Sequence, residues 1–211
     1  MKELTVIYEK RIKDKGRDSY LKAIKKQIPG ARIIDVENIT NIQMSKILVL
    51  KPMNDTDYEN IKTFLSYNLA CDIEGIGSGR LTITAEAIIR VIGDVKGRTV
   101  VIINQSNVLG IPLAKELIDQ GASVISLNSS YPCLDNLLTM TDVDILISAS
   151  GQDDFEMDRE LTRMIDIKVD LSDDLEDPIK ITRVPTLEVL KERLEKWETI
   201  LITTTLTELT L

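Results

Sequence analysis

The sequence has no histidine, and this absence removes several classes of catalytic site. A Ser-His-Asp triad, a Cys-His pair and an HExxH zinc site all require imidazole. Proton transfer must then use Lys, Tyr, Asp, Glu or water. The two cysteines, Cys71 and Cys133, match no metal-ligand spacing, so we expect two buried free thiols and no metal.

The chain also lacks long hydrophobic runs and an excess of positive charge. No apolar segment approaches the roughly 20 residues that span a bilayer, and the N-terminal segment has no apolar region of a signal peptide. With 26 basic and 34 acidic residues the formal net charge is −8, which disfavours nucleic acid and anionic membranes as partners. Because 43% of the 211 residues are apolar, we expect a globular protein, and cytoplasmic residence by default.

A third absence is the G-x-G-x-x-G turn of common dinucleotide-binding domains. Residues 98–112, RTVVIINQSNVLGIP, combine an apolar strand, a polar turn and the start of a helix, but no glycine lies between Asn104 and Gly110. A strand that ends in such a turn aims the N–H groups of the next helix at a phosphate. The segment therefore predicts a nucleotide site that departs from the usual fingerprint.

Strand-like and helix-like segments alternate along the chain, which is typical of a mainly parallel α/β fold. We predict strands at residues 4–8, 32–36, 46–50, 99–103, 123–127 and 145–148, and one around Val169. Helices are predicted at residues 18–27, 84–92, 108–120, 135–140 and 185–197. Asp55 or Thr56 is expected to cap one more helix.

These elements group into two predicted domains. Residues 1–82 form an N-terminal α/β domain, to which a C-terminal helix at about 185–199 returns. Residues 83–184 form a Rossmann-like, parallel-sheet nucleotide-binding domain. Between them, CDIEGIGSGR at residues 71–80 is either a flexible loop or a turn that lines a ligand. Residues 172–177 form an acidic loop, and the tail 200–211 is either an edge strand or partly disordered.

Several segments, in the same order along the chain, resemble one known family. The turn 104–112 is similar to the G-R-S-x-x-V-G-x-P motif of methylenetetrahydrofolate dehydrogenase/cyclohydrolases of the FolD type. Residues 47–52 resemble the family's ILVQLP strand, residues 72–75 its DVDG segment, residues 79–81 its GRL, and residues 144–152 its DILvvAvGkp segment. Residues 122–129 and 181–185 are similar to two further motifs, AtVtxcHS and ITPVPGG. The resemblance is collinear from about residue 18 to residue 197, which makes it more specific than any single motif.

The resemblance implies a shortened, divergent family member that binds a folate between its two domains and a dinucleotide in the second. It also implies a homodimer. The residues that it assigns to cofactor binding are Asn104, Gln105, Ser106, Gly110, Asn128, Ser129, Ser150 and Gly151. Gln105 replaces an arginine, the natural partner of a 2′-phosphate, so NADP discrimination should be weak and NAD is favoured over NADP.

Catalytic and substrate positions follow from the same resemblance. The family has a tyrosine and, four residues later, a lysine; here these positions are Tyr20 and Ile24, with Lys22, Lys25 and Lys26 nearby. Lys25 is the candidate replacement, and the alternative is a solvated basic helix face. The substrate-binding positions are Leu50, Asp72, Glu74 and Pro185. Leu50 replaces a glutamine and Glu74 an aspartate, and Lys51 is expected on the opposite face of its strand from Leu50.

Two functions remain open, together with a weaker third. The first is an NAD(P)-linked methylenetetrahydrofolate dehydrogenase with weakened or absent cyclohydrolase activity, because water activation needs a base and hydride transfer does not. The second is a catalytically degenerate protein of this fold that binds a nucleotide or pterin without turnover. The third is an unrelated Rossmann-like oxidoreductase or regulatory module.

Overall fold

The computed structural model describes residues 4–39, 45–152, 154–180 and 185–196. The chain divides into two compact units, Met1–Ile83 with Thr186–Leu211, and Thr84–Pro185. The α/β fold with parallel sheets that the sequence predicts is confirmed. The predicted tail at residues 200–211 and most of the segment 181–185 lie outside the described residues.

The first unit contains a three-stranded parallel sheet in the order β2-β1-β3. The strands are β1 (Leu4–Tyr8), β2 (Arg32–Asp35) and β3 (Lys46–Val49). Helix α1 (Lys15–Gln27) connects β1 to β2, helix α2 (Asp55–Tyr67) follows β3, and residues 185–196 form a further helix that we call the closing helix. Strand β2 ends one residue earlier than predicted, because Val36–Asn38 form a short 3-10 helix.

Side-chain caps fix where the first two helices begin. Asp14 accepts a hydrogen bond from the Arg17 N–H at 2.5 Å and caps α1. The helix begins at Lys15, three residues before the predicted start at residue 18. Asn54 accepts from the Asp57 N–H at 2.9 Å and caps α2, so the prediction of Asp55 or Thr56 as the cap is wrong. Each of these three neighbours has an oxygen that can cap a helix, and the structure uses the first.

The second unit contains a five-stranded parallel sheet in the order β5-β4-β6-β7-β8. The strands are β4 (Thr99–Ile103), β5 (Ser123–Leu127), β6 (Ile145–Ser148), β7 (Ile167–Asp170) and β8 (Ile179–Lys180). The helices are α3 (Ile83–Ile92), α4 (Gly110–Asp119), α5 (Leu134–Met140) and α6 (Arg159–Thr162). Because β5 and β6 lie on opposite sides of β4, the chain reverses its direction of winding at the carboxyl end of β4, where ligands bind in folds of this type.

Burial explains why the middle of this sheet was predictable. Residues 100–103 of β4 and 145–148 of β6 are all buried, as expected for central parallel strands that are covered on both faces. The bounds predicted for β4, β5 and β6 are confirmed. Strand β8 was not predicted, since its two residues follow Pro178 and carry no periodic pattern.

The two cysteines differ in environment. Both are free thiols, and Cys71 is buried as predicted. Cys133 is exposed at the N-terminal end of α5, so the prediction that it is buried is wrong. Among the described helices, none has the length and apolar character to cross a membrane.

Candidate functional site

The turn between β4 and α4 is organised by the side chain of Asn104. Its amide nitrogen donates to the Ala149 carbonyl at 2.8 Å, which ties the end of β4 to the end of β6. Its amide oxygen accepts from the N–H groups of Ser106 and Gly110, both at 3.0 Å, and from the Ser106 hydroxyl at 2.7 Å. Asn104 therefore holds in place the turn that lacks the usual glycines.

Gly110, the first residue of α4, is required by close packing. A Cβ atom at this position would lie 1.8 Å from the Asn104 carbonyl oxygen, so no side chain fits without moving the backbone. The Ser106 hydroxyl accepts from the Leu109 N–H at 3.1 Å and completes the turn. The spacing of Ser106 and Gly110 in the sequence is therefore explained by the geometry of this turn.

A cavity of about 270 Å³ lies at the carboxyl ends of β4, β5 and β6. Its lining residues are Ile103, Asn104, Gln105, Ser106, Asn128, Ser129, Ala149 and Ser150. Six of the eight residues that the sequence assigns to cofactor binding are among them. The other two are glycines close to these residues. Gly110 packs against Asn104 in the turn, and Gly151 directly follows Ser150 with a φ of 66°. None of the lining residues is ionisable, so the cavity presents hydrogen-bonding groups without a fixed charge.

Side-chain hydrogen bonds fix the rim of this cavity. The Gln105 amide donates to the Ser126 carbonyl at 2.9 Å, and the Gln152 amide donates to the Ser129 hydroxyl, also at 2.9 Å. These bonds hold the loop after β4 against β5, and the loop after β6 against the loop after β5.

Asp174 is a buried residue whose role the sequence did not reveal. Its carboxylate accepts from the Ser148 hydroxyl at 2.5 Å and from the Ser150 hydroxyl at 2.8 Å. It therefore orients Ser150 from behind the cavity. The predicted acidic loop 172–177 indicated charge, but a run of acidic residues is usually solvated, and nothing in the sequence distinguishes the buried Asp174 from the neighbouring Asp173.

In the first unit, Asp72 organises the glycine-rich loop 71–80. The buried carboxylate accepts from the N–H groups of Gly75, Gly77 and Ser78 at 2.8, 3.0 and 2.8 Å. A Cβ atom on Gly77 would lie 2.5 Å from the backbone of Leu65 in α2, so the loop packs closely on that helix. Both carboxylate oxygens of Asp72 are thus used by the loop itself.

Glu74 is buried in the same loop, and its environment favours the uncharged form. Burial is the main cause that raises the pKa of Glu74 to about 8, and the Asp72 charge adds to the increase. The Arg193 guanidinium and a hydrogen bond from the Ile83 N–H at 3.2 Å oppose it. At neutral pH Glu74 is mostly a carboxylic acid that can both donate and accept a hydrogen bond.

Two tyrosines lie close enough to Glu74 to sense its charge. Burial and then Glu74 raise the pKa of Tyr20, while Thr186 lowers it; the Tyr20 hydroxyl oxygen is buried and meets no partner with hydrogen-bond geometry among the described residues. Burial raises the pKa of Tyr58 to about 12, with further contributions from Glu74, Glu59 and Asp72. Both phenols remain protonated at neutral pH, so each is available as a hydrogen-bond donor.

Lys51 places a positive charge beside this group. Strand β3 ends at Val49, so strand alternation does not govern the direction of Lys51. Its ammonium lies 4.2 Å from the centroid of the Tyr58 ring and 3.3 Å from an Asp55 carboxylate oxygen. The phenols of Tyr20 and Tyr58, the buried Glu74 carboxyl group and the Lys51 ammonium therefore form one group of polar side chains in the first unit, in addition to Asp72.

Comparison with protein families identifies the second unit. Residues 82–174 match the model described as tetrahydrofolate dehydrogenase/cyclohydrolase, NAD(P)-binding domain. This match covers 93 of the 211 residues and describes that segment alone. Among curated proteins, no sequence matches this chain.

Solved structures of methylenetetrahydrofolate dehydrogenases share the fold of this chain at low sequence identity. The NAD-dependent 5,10-methylenetetrahydrofolate dehydrogenase of Saccharomyces cerevisiae has 15% identity and a TM-score of 0.72, over 96% of this chain and 89% of that one. The Trypanosoma brucei dehydrogenase-cyclohydrolase, complexed with NADP and an inhibitor, has 19% identity and a TM-score of 0.65, over 95% and 88%. The bifunctional enzyme of Campylobacter jejuni has 19% identity and a TM-score of 0.64, over 94% and 88%.

The chain departs from the motif that it resembles at the lysine expected four residues after Tyr20. Ile24 occupies that position and is fully buried in the core. Lys25 is exposed, as are Lys22 and Lys26. The rotation of about 100° per residue along a helix accounts for the difference between neighbours.

The remaining positions that the resemblance assigns to substrate binding lie as follows. Leu50 is buried directly after β3, where its apolar side chain joins the core of the first unit. Pro185 is half-buried and is the first residue of the closing helix, a position that suits proline because its nitrogen has no hydrogen to donate. Neither side chain offers a donor to a substrate.

Proposed function

We propose that this chain is an NAD-linked methylenetetrahydrofolate dehydrogenase in which cyclohydrolase activity is weakened or absent. The observation that carries the proposal is the cavity at the carboxyl ends of β4, β5 and β6, within the segment that matches the family's NAD(P)-binding domain. Its turn is fixed by Asn104 and leaves no room for a side chain at Gly110. The N–H groups of Ser106, Leu109 and Gly110 are bonded to side chains within the turn, so we infer that the polar side chains lining the cavity supply most hydrogen bonds to the cofactor.

The preference for NAD rests on the neutral lining of that cavity. The 2′-phosphate of NADP carries negative charge that is normally matched by arginine or lysine, and arginine binds it with two parallel hydrogen bonds. Gln105 stands at the arginine position of the resemblance and already donates to the Ser126 carbonyl. Its amide can turn to a ribose hydroxyl, but it supplies no charge to compensate a phosphate.

The folate is assigned to the first unit through Glu74 and Tyr20. The amino-pyrimidine edge of a pterin presents both donors and acceptors, and a protonated carboxyl can pair with such an edge in both directions. The phenol of Tyr20 adds a buried donor without a partner of its own. A buried donor that lacks a partner is costly, and a bound ligand that accepts from it removes that cost.

The same groups account for the expected imbalance between the two activities. Hydride transfer moves a hydrogen and its electron pair from the methylene bridge of the folate to the nicotinamide, so no base is needed and alignment supplies much of the rate. Hydrolysis of the methenyl bridge needs a base that activates water. At neutral pH Glu74 and Tyr20 are both protonated, and Lys25, still the candidate lysine in α1, is exposed.

A ligand screen followed by a turnover assay tests the proposal. We expect NAD and tetrahydrofolate each to raise the melting temperature, and reduced nicotinamide to form when NAD and 5,10-methylenetetrahydrofolate are supplied together. Methenyltetrahydrofolate should disappear no faster than in buffer. Stabilisation by both ligands without reduced nicotinamide would favour the degenerate binding protein instead. No stabilisation by any of NAD, NADP and tetrahydrofolate would contradict both functions. A Lys25→Ala variant with unchanged turnover would remove that lysine from consideration.

A further inference from the structure

We propose that Arg193, on the closing helix, is a positioning residue that holds the Glu74 carboxyl group in its binding orientation. The inference rests on the proposed function of the first unit and assigns a role to a residue outside every motif of the sequence. It makes the closing helix part of the folate site.

The guanidinium of Arg193 binds the glycine-rich loop at both of its ends. One nitrogen donates to the carbonyls of Ile73 and Glu74 at 2.8 and 2.9 Å, and the other donates to the Leu81 carbonyl at 2.7 Å. A planar guanidinium with five N–H groups can span three acceptors in this way, whereas the ammonium of lysine is a compact point charge. Arg193 therefore fixes the backbone on either side of residues 75–80.

Asp72 completes this arrangement from inside the loop. Its carboxylate takes the N–H groups of the loop, while Arg193 takes carbonyls that flank it. Arg193 donates to the backbone carbonyl of Glu74, and Asp72 accepts from the N–H of the next residue, Gly75. The Glu74 side chain therefore extends from a backbone segment that is held on both sides. The Ile83 N–H donates to the Glu74 carboxyl group and orients it directly, while Arg193 holds the backbone from which that side chain extends.

The closing helix meets the site at a second point. Thr186 is buried at the start of this helix, and its side chain lies beside the Tyr20 hydroxyl. Thr186 and Arg193 are seven residues apart, which places them on one face of the helix two turns from each other. Buried Leu187, Val189 and Leu190 attach the helix to the core of the unit. One rigid element thus contacts the surroundings of both proposed folate-binding groups.

Electrostatics gives Arg193 an effect that a purely structural contact would not have. The charged or titratable groups that face Glu74 are Asp72 in its own loop, Tyr20 in α1, Tyr58 in α2 and Arg193 in the closing helix. Arg193 is the cation that lowers the pKa of Glu74 against the effect of burial. Its removal should raise that pKa further and leave the carboxyl both misplaced and harder to ionise.

The test compares Arg193→Gln, Arg193→Lys and Lys196→Gln. The last is a matched control, since Lys196 is exposed on the same helix. We expect Arg193→Gln to raise the KM for the folate by roughly tenfold, the loss that one charge-assisted hydrogen-bond network typically causes. NAD affinity should stay unchanged. We expect kcat/KM to fall at alkaline pH as Glu74 loses its proton. This fall should move to higher pH in Arg193→Gln, but stay near its original position in Arg193→Lys, which keeps the charge.

Three outcomes would overturn the positioning role. They are an unchanged KM and pH profile with only a lower melting temperature, an equal loss of NAD affinity, or full KM restoration in Arg193→Lys. If Arg193→Gln does not fold, the KM of Arg193→Lys alone decides, because that variant keeps the charge but loses the three-way geometry. Tetrahydrofolate binding, measured by calorimetry, separates the two proposals. No binding by the unaltered chain overturns the proposed function, whereas equal binding by the unaltered chain and Arg193→Lys overturns only the role of Arg193.

Discussion

At the scale of single residues, we expect two positions to influence what each unit binds. Gln105 lies at the rim of a cavity without ionisable groups, and Glu74 is a buried carboxyl with its pKa raised to about 8. Both replace residues of different charge or length in the family motif that this chain resembles. Both therefore offer direct tests in which one side chain is changed and one property is measured.

Gln105→Arg should shift cofactor preference toward NADP. The new guanidinium can pair with a 2′-phosphate, and we expect the affinity for NADP relative to NAD to rise by about tenfold, with the gain reduced at high salt. Gln120→Arg adds the same charge at the far, C-terminal end of α4 and serves as the control. Calorimetric titration of both variants with both cofactors measures the ratio. An equal rise in NADP affinity in the two variants would mean that net charge, and not the position of residue 105, sets the preference.

Glu74 should make the stability of the chain depend on pH in a defined direction. Its pKa is raised from 4.5 to about 8, so the folded state keeps a proton that the unfolded state releases. The stabilisation is complete below the unfolded pKa and is lost as the pH rises toward about 8, by up to about 1.4 kcal/mol per pH unit. Glu74→Gln removes this dependence, and its stability relative to the unaltered chain should increase from about pH 5 to about pH 8.

Urea unfolding at several pH values measures this difference. Glu188→Gln is the matched control, because Glu188 is exposed on the closing helix and should show no such trend. A constant difference between Glu74→Gln and the unaltered chain across this range would show that Glu74 is ionised in the folded state.

At the scale of elements, we propose that the segment from β4 through its turn to α4 binds the nucleotide. The Asn104 side chain holds the turn, and Gly110 lets the turn backbone approach the helix. The geometry of this segment therefore depends on Gly110, which has no side chain, and on the side-chain amide of Asn104.

Gly110→Ala should disable this element. Its Cβ would lie 1.8 Å from the Asn104 carbonyl oxygen, so the turn must move, and we expect a loss of about 1–3 kcal/mol in unfolding free energy together with loss of NAD binding. Gly16→Ala, in the first turn of α1, is the control: the nearest atom to its Cβ is 3.4 Å away, an ordinary contact. Thermal unfolding with and without NAD measures both effects. Retained NAD binding in Gly110→Ala would refute the assignment of the phosphate site.

Some bounds of the helices and strands could be predicted from the sequence, and others could not. The bounds of β4 and β6 followed from apolar runs between turns, because central parallel strands are buried on both faces, whereas β5 is an edge strand and is only partly buried. The cap of α2 did not follow, since Asn54 and its two successors all have suitable oxygens. The contacts of Asp174 and Arg193 join residues distant in sequence, and such contacts leave no local pattern. The candidate cavity was predicted through motif residues, whereas its supporting groups required the structure.

At the scale of the whole molecule, the two units divide the proposed chemistry. The second unit contains most of the segment that matches an NAD(P)-binding domain model, and it presents a cavity without ionisable lining residues. The first unit presents phenols, a protonated carboxyl and a loop held by Asp72 and Arg193. Hydride transfer requires both a cofactor site and a folate site in the same chain, and it requires no base. Hydrolysis requires a base, and we propose that Glu74 and Tyr20, both protonated at neutral pH, do not supply one.

The formation of reduced nicotinamide from NAD and 5,10-methylenetetrahydrofolate, followed by absorbance, tests this account most directly. The account predicts turnover with NAD, slower turnover with NADP at equal concentration, and none in the Gly110→Ala variant that lacks a phosphate site. A chain that binds both NAD and tetrahydrofolate but forms no reduced nicotinamide with either cofactor would contradict it.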